Sequence, residues 1–203
     1  MGHEGRGRDG EIIRRGWWPV LPRSFYARPA DEVARDLLGA TLVHGSHRVR
    51  IVEIEAYLGP HDQAAHSSKG RTPRTEVMFG TPGHAYVYFV YGMHHMFNVV
   101  CQPNGTAAAV LIRAAEALGP GLPRLDGPAR LAKALGITVQ EHNGMDLCGT
   151  GTRIEVGTPP RRVVATPRIG VDYAGEWAAA PLRFVDADSP SLSRPLPSST
   201  GGT

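Results

Sequence analysis

The segment RVRIVEIEAYLG (residues 48–59) holds the side chains best suited to acid–base chemistry. Strand alternation puts Ile51, Glu53, Glu55 and Tyr57 on one face and Val52, Ile54 and Ala56 on the other. Two carboxylates and a phenol at the end of a strand can activate a water or steady a developing cation. The same pattern fits an amphipathic strand with one solvated side. What favours chemistry is the polar loop that follows, GPHDQAAHSSKGRTPR, which carries His66, Lys69, Arg71 and Arg74. A carboxylate beside a basic loop is what hydrolysis close to a phosphate backbone would use.

Downstream, HAYVYFVYGMHHMFNVV sets Tyr86 and Tyr88 on one strand face and Tyr91 at a turn. Tyr86 and Phe89 read as core residues. Tyr91, beside Gly92 at a hairpin tip, has no room within its own sheet, and an exposed aromatic there suits insertion between base pairs. In AAAVLIRAAEA, Arg113 stands among small and apolar residues, where an isolated charge is costly without a partner. Glu55 and Glu116 are the candidate partners, and a purely structural salt bridge would explain the arginine equally well. Among the nine histidines, His61 and His66 with Asp62 or Glu55 form the best metal-ligand set. Their spacing matches no zinc signature, and the neighbours His94 and His95 cannot face one side of a strand.

The elements that must position these groups are short. Helices are predicted over Pro29–Leu38, with Asp31 and Glu32 in the first turn and Gly39 beyond the end, and over Pro128–Leu135, ending at Gly136. Strands are predicted over 40–43, 49–57, 84–90, 96–102, 108–115, 161–166 and 182–185, from their β-branched and aromatic residues between Gly and Pro breaks. The fold expected is α+β: one domain over residues 21–185, with a curved, mostly antiparallel sheet, short surrounding helices and a protruding β-hairpin. Residues 1–20, rich in Gly and Arg, and 186–203, rich in Ser and Pro, read as mobile tails that bury too little apolar surface to order.

Composition narrows the setting. Cys101 and Cys148 lie far apart and outside any CxxC pattern, so neither a disulfide framework nor a zinc knuckle is suggested. No stretch approaches the roughly 20 apolar residues that span a bilayer, and the first residues lack a signal-peptide core, so a cytoplasmic protein is expected. Net charge is only +3, yet of the 22 basic residues only Lys69 and Lys133 are lysine. Arginine suits bidentate phosphate contact, although a GC-rich genome produces the same skew.

The run VEIEAYLGPHDQAAHSSKGRTPRTEVMFGTPGHAYVYFVYGMHHMFNVV, followed by VLIRAAEAL, GPARLAKALGI and RIGVDYAGEWAAAPLRF, closely resembles the alkyladenine (3-methyladenine) DNA glycosylase family. The resemblance extends over roughly residues 22–185 and implies a single mixed α/β domain without zinc, iron–sulfur cluster or other cofactor. By this resemblance Glu55 is the general base and Arg113 helps to position the water. Tyr57, His66 and Tyr88 form the walls between which an extruded base stacks, and the backbone N–H at His66 donates to the base edge. Asn98 disfavours the amino group of an undamaged guanine. Tyr91 is the wedge that fills the gap in the duplex, and Arg71, Thr72, Arg74 and Met78 fall in the DNA-contacting region. The chain departs from mammalian members at His94–His95 and in a C-terminal segment without aromatic residues.

The activity implied is base excision: flipping of alkylated or deaminated purines out of double-stranded DNA and hydrolysis of the N-glycosidic bond, carried out by a monomer near the nucleoid. A bifunctional lyase needs an amine, usually a desolvated lysine, to form a Schiff base. Neither Lys69 nor Lys133 lies in an apolar segment, which favours simple hydrolysis to an abasic site. Two rival readings are a non-catalytic module that recognises damaged DNA with the same pocket, and a metal-dependent hydrolase using His61, His66 and Glu55.

Overall fold

Alternating segments of the chain pair into one eight-stranded sheet in the computed structural model, which describes residues 19–196. In chain order the elements are α1 (Arg23–Tyr26), α2 (Ala30–Asp36), β1 (Thr41–His44), β2 (His47–Tyr57), β3 (Ala85–Val90), β4 (His94–Cys101), β5 (Ala108–Ala117), α3 (Pro128–Leu135), α4 (Val139–His142), β6 (Arg153–Glu155), β7 (Val163–Thr166) and β8 (Arg183–Asp186). The strands run β3-β4-β5-β2-β1-β6, with β8 joined to β2 and β7 to β8, and every pair is antiparallel. The long strand β2 is the spine: β5 lies along one edge, β1 along the first part of the other and β8 along the rest.

Sequence chemistry explains the helices. α3 starts with Pro128 at its first position, closes on Gly136 in the left-handed region (φ 67°), and turns Leu131, Ala132 and Leu135 inward. α2 ends before Gly39, whose φ of 84° and approach to the Thr158 carbonyl leave no space for a side chain: a Cβ there would lie 2.1 Å from that oxygen. Both helices join a core built from Val49, Ile51, Ile54 and Ala56 of β2, Val87 of β3, Phe97 and Val99 of β4, and Val110 and Ile112 of β5. The opposite face of the same strands carries Glu53, Glu55, Tyr57, Tyr86, Tyr88, Asn98 and Arg113.

That division corrects the simple alternation expected for β2. The β2–β5 register shifts between Ile51 and Glu53 and again between Glu53 and Ile54. The first shift gives β2 one extra residue, Val52, and returns Ile51 to the core face together with Ile54 and Ala56. Neither face is solvated, since residues 51–56 are all buried. A second difference concerns the C-terminal segment. Asp186 ends a strand, and Ser189, Ser193 and Arg194 bond to Glu116, Glu53 and Arg183, so residues 186–196 are not a free tail. Apolar burial was the wrong criterion there, because this segment is held by hydrogen bonds to buried charges. At the other end Pro19–Leu21 pair with β6, a three-residue strand too short to show periodicity. Residues 1–18 and 197–203 lie outside the described region.

Candidate active site

The face of the sheet turned away from α2 and α3 opens into a cavity of about 300 Å³. Tyr57, His66, Tyr88, Asn98, Arg113 and Tyr91 line it, so six residues singled out in the sequence meet in one place. Glu55 is fully buried just behind this wall. Its Oε2 accepts bonds from the Tyr57 hydroxyl (2.9 Å) and Arg113 Nη1 (3.1 Å), and its Oε1 from the Ile169 N–H (2.7 Å). All three donors belong to cavity-lining residues. A carboxylate offers about four lone-pair directions, so one remains for a further donor.

Arg113 is shared. Its Nε reaches Glu53 (3.0 Å), while Glu116 pairs with Arg50 instead. Burial alone would favour loss of the Arg113 proton, but the charges of Glu55 and Glu53 outweigh it and keep the guanidinium charged. Burial would likewise raise the Glu53 carboxyl, yet hydrogen bonds from Arg183 and Ser193 hold it below its ordinary value. Burial, then the charge of Glu55, pushes the Tyr57 phenol well above its usual range, so it remains a donor to Glu55 at neutral pH.

His66 and Tyr88 build one aromatic wall, with ring centroids 4.4 Å apart, and His66 Nδ1 lies 3.0 Å from the Tyr86 hydroxyl. Burial and the nearby charges of Arg74 and Lys69 lower His66 to about 4, leaving it neutral. Its backbone N–H, first in a 3-10 turn (His66–Lys69), meets no acceptor among the described residues. Tyr57 stands in the same cavity with the Arg168 guanidinium 4.8 Å from its ring centroid. Asn98 is buried between β3 and β5 and donates to the Tyr86 carbonyl (2.9 Å).

Tyr91 is 89% exposed and adopts φ 53°, followed by Gly92 at φ 67°. With Met93 N–H bonded to the Val90 carbonyl, these two residues form the turn between β3 and β4. A left-handed conformation costs a non-glycine residue roughly 1–2 kcal/mol, so packing does not explain a tyrosine here. Of the loop residues, Arg74 stacks over Tyr88 (5.3 Å) and exposed Arg71 pairs with Glu76. Thr72 closes a turn with Thr75. Met78, expected on a DNA-contacting surface, is buried: it packs on Tyr86, Val100 and Ala109 and faces the cavity. Its segment winds into a 3-10 turn (Glu76–Phe79) that turns the side chain inward.

The metal-ligand set does not assemble. Both oxygens of Asp62 are held by Arg168 (2.5 and 2.9 Å), His61 packs on Trp177, and no group of three or more ligating side chains gathers among the described residues. Four contributors escaped the sequence reading. Ile169 and exposed Tyr173 come from the loop after β7, Arg168 backs Tyr57, and Ser193 bonds Glu53. Only Arg168 left a signal, a lone charge before the apolar Ile169.

The family model for methylpurine-DNA glycosylase (MPG) matches residues 24–190. A protein of Myxococcus xanthus named "Putative 3-methyladenine DNA glycosylase" is 58% identical over 186 residues, spanning 87% of this chain and 95% of the relative. Proteins of the same name from Methanocella arvoryzae and Legionella pneumophila are 50% and 48% identical, spanning 88% and 86% of this chain and 98% of each relative. No helix among the described residues is long and apolar enough to cross a membrane. With the buried carboxylate, the aromatic cavity and this similarity along nearly the whole described chain, the protein belongs to the methylpurine-DNA glycosylase family.

Proposed function

We propose that this DNA glycosylase draws an alkylated or deaminated purine out of double-stranded DNA into the cavity and hydrolyses its bond to deoxyribose, with Glu55 activating the water. The observation that carries the reading is Glu55 itself: a buried carboxylate, three of its lone pairs occupied by cavity-lining residues and one left over. The water oxygen attacks C1′ and gives its proton to Glu55. The glycosidic bond breaks and its electron pair leaves with the base. The negative charge of Glu55 also opposes the positive charge that develops on the sugar.

The walls suit a base that is already cationic, such as 3-methyladenine or 7-methylguanine. Tyr57 and Tyr88 offer faces whose cation–π attraction is worth ~0.5–2 kcal/mol when desolvated. Neutral His66 adds surface without repulsion. Asn98 would crowd the amino group of an undamaged guanine, and strained, exposed Tyr91 would fill the gap left in the duplex. Lys69 and Lys133 are both exposed and outside the cavity, which supports hydrolysis without a Schiff base and an abasic site as product.

The test uses duplexes carrying one 7-methylguanine, hypoxanthine or ethenoadenine, incubated with the protein and treated with hot alkali. Strand cleavage by the wild type, its loss in Glu55→Gln and retained binding of lesion DNA by that variant are expected. Cleavage by Glu55→Gln at the wild-type rate would refute the assignment of the base. Binding without cleavage by the wild type would make the protein a recognition module.

A further inference from the structure

We propose that Ser193 is a positioning residue of this active site, and that the Ser/Pro-rich segment carrying it is a strap that fixes which edge of Arg113 faces Glu55. This rests on reading Glu55 as the base. An arginine beside a lone carboxylate tends to close on it with two parallel bonds. If Arg113 did so, it would cover the lone pair of Glu55 that a water needs.

The strap prevents this by occupying the other edge of the guanidinium. Ser193 Oγ accepts from Arg113 Nε (3.4 Å) and Nη2 (3.3 Å) and donates to Glu53 Oε1 (2.6 Å). Glu53 Oε1 also accepts from Arg113 Nε, so Nη1 alone turns to Glu55. The Ser193 backbone N–H bonds Glu53 Oε2 (2.6 Å), which fixes the carboxylate that fixes the arginine. Arg183 completes the anchor, donating to Glu53 (2.8 Å) and to the Arg194 carbonyl (2.9 Å). Two carboxylates and two guanidiniums, none more than 9% exposed, thus balance in charge around one serine. Loosening one contact lets the set re-pair, and Arg113 gains the freedom to chelate Glu55.

Three full-length variants separate this role from simple stability. Ser193→Ala removes the hydroxyl, Ser193→Pro removes both the hydroxyl and the N–H, and Ser193→Thr keeps both. Under single-turnover conditions Ser193→Pro is expected to slow base release about ten- to hundred-fold and Ser193→Ala by a smaller factor, with Thr restoring the rate to within about twofold. Affinity for a duplex carrying a tetrahydrofuran abasic analogue should change little. The Nε–H resonance of Arg113, identified by its loss in Arg113→Lys, should move or broaden in the Ala and Pro variants and persist in Thr. An unmoved resonance, or wild-type release by folded Ala and Pro variants, would overturn the role of Ser193. A wild type that releases no base from any lesion would instead overturn the glycosidic reading of Glu55, and the Arg113 resonance would still decide whether Ser193 holds the guanidinium.

Discussion

Replacing Arg168 by leucine would unpin the cavity from behind. The Arg168 and Asp62 side chains are fully buried and meet through two bonds, and Arg168 also donates to the Ala56 carbonyl (2.8 Å). Asp62 accepts in addition from the Leu58 and Ala64 N–H groups (3.1 and 3.0 Å), so the pair ties the end of β2 to the turn after it and to the loop after β7. Removing one partner of a buried pair costs about 3–5 kcal/mol, because the other charge stays buried. The two backbone bonds to Asp62 survive, which favours the lower end. At about 2–4 °C per kcal/mol for a domain of this size, the melting temperature should fall by roughly 6–12 °C. Adding Asp62→Asn removes the orphaned charge, so the double variant should recover a substantial part of the loss. Base release should slow about tenfold or more, since Tyr57 loses its backing and Ile169, next in the chain, holds Glu55. Calorimetry and single-turnover assays well below the melting temperature measure both effects. A loss under about 1 kcal/mol, or a double variant no more stable than Arg168→Leu, would refute the reasoning.

The other predictions concern the mouth and the wall. Tyr91→Asn places a residue tolerant of positive φ at the hairpin tip, so stability should hold or rise by up to about 1 kcal/mol while capture of lesion DNA weakens. Unchanged affinity and release would remove Tyr91 from the DNA-facing machinery. His66 should titrate near 4, well below its ordinary 6.5, as followed by its ring proton resonances. Because the unfolded chain takes up this proton first, the His66 contribution to stability is complete above 6.5 and is lost as pH falls toward 4; a midpoint near 6.5 in the folded protein would contradict the buried, neutral wall.

The fold was largely legible because its signals are local. The alternation in 85–90, 94–101 and 108–112, and the Pro start and Gly stop of α3, specify elements without reference to the rest of the chain. Phe89, expected in the core, is instead 45% exposed beside His95. The misses in strand pairing share a cause. The bulge at Val52 is imposed by pairing with β5, not by the residue itself, so strict alternation misplaced Ile51. β6 is three residues long and exists because β1 and Pro19–Leu21 offer it edges.

The site divides in the same way, into chemistry that a residue announces and chemistry that only its neighbours create. Arg113 announced itself, since a charge inside an apolar strand requires a buried acid, and Glu55 was one of two acids that could supply it. Local pattern could not show that Glu53 would bind the same guanidinium, because that depends on Arg183 and Ser193, more than a hundred residues further along. The two glutamates lie two apart on one strand and would be interchangeable by spacing. The fold makes them unequal: Glu53 accepts from two guanidiniums and both donors of Ser193, whereas Glu55 accepts three bonds, all from residues that line the cavity. Three of the donors to Glu53 crowd Oε1 and the Ser193 N–H reaches Oε2, and two of these partner residues, Arg183 and Ser193, lie outside the cavity lining. Glu55 keeps a lone pair on Oε1 behind an aromatic wall and every donor it meets lines the cavity, and this placement supports reading Glu55, not Glu53, as the group that takes a proton from water.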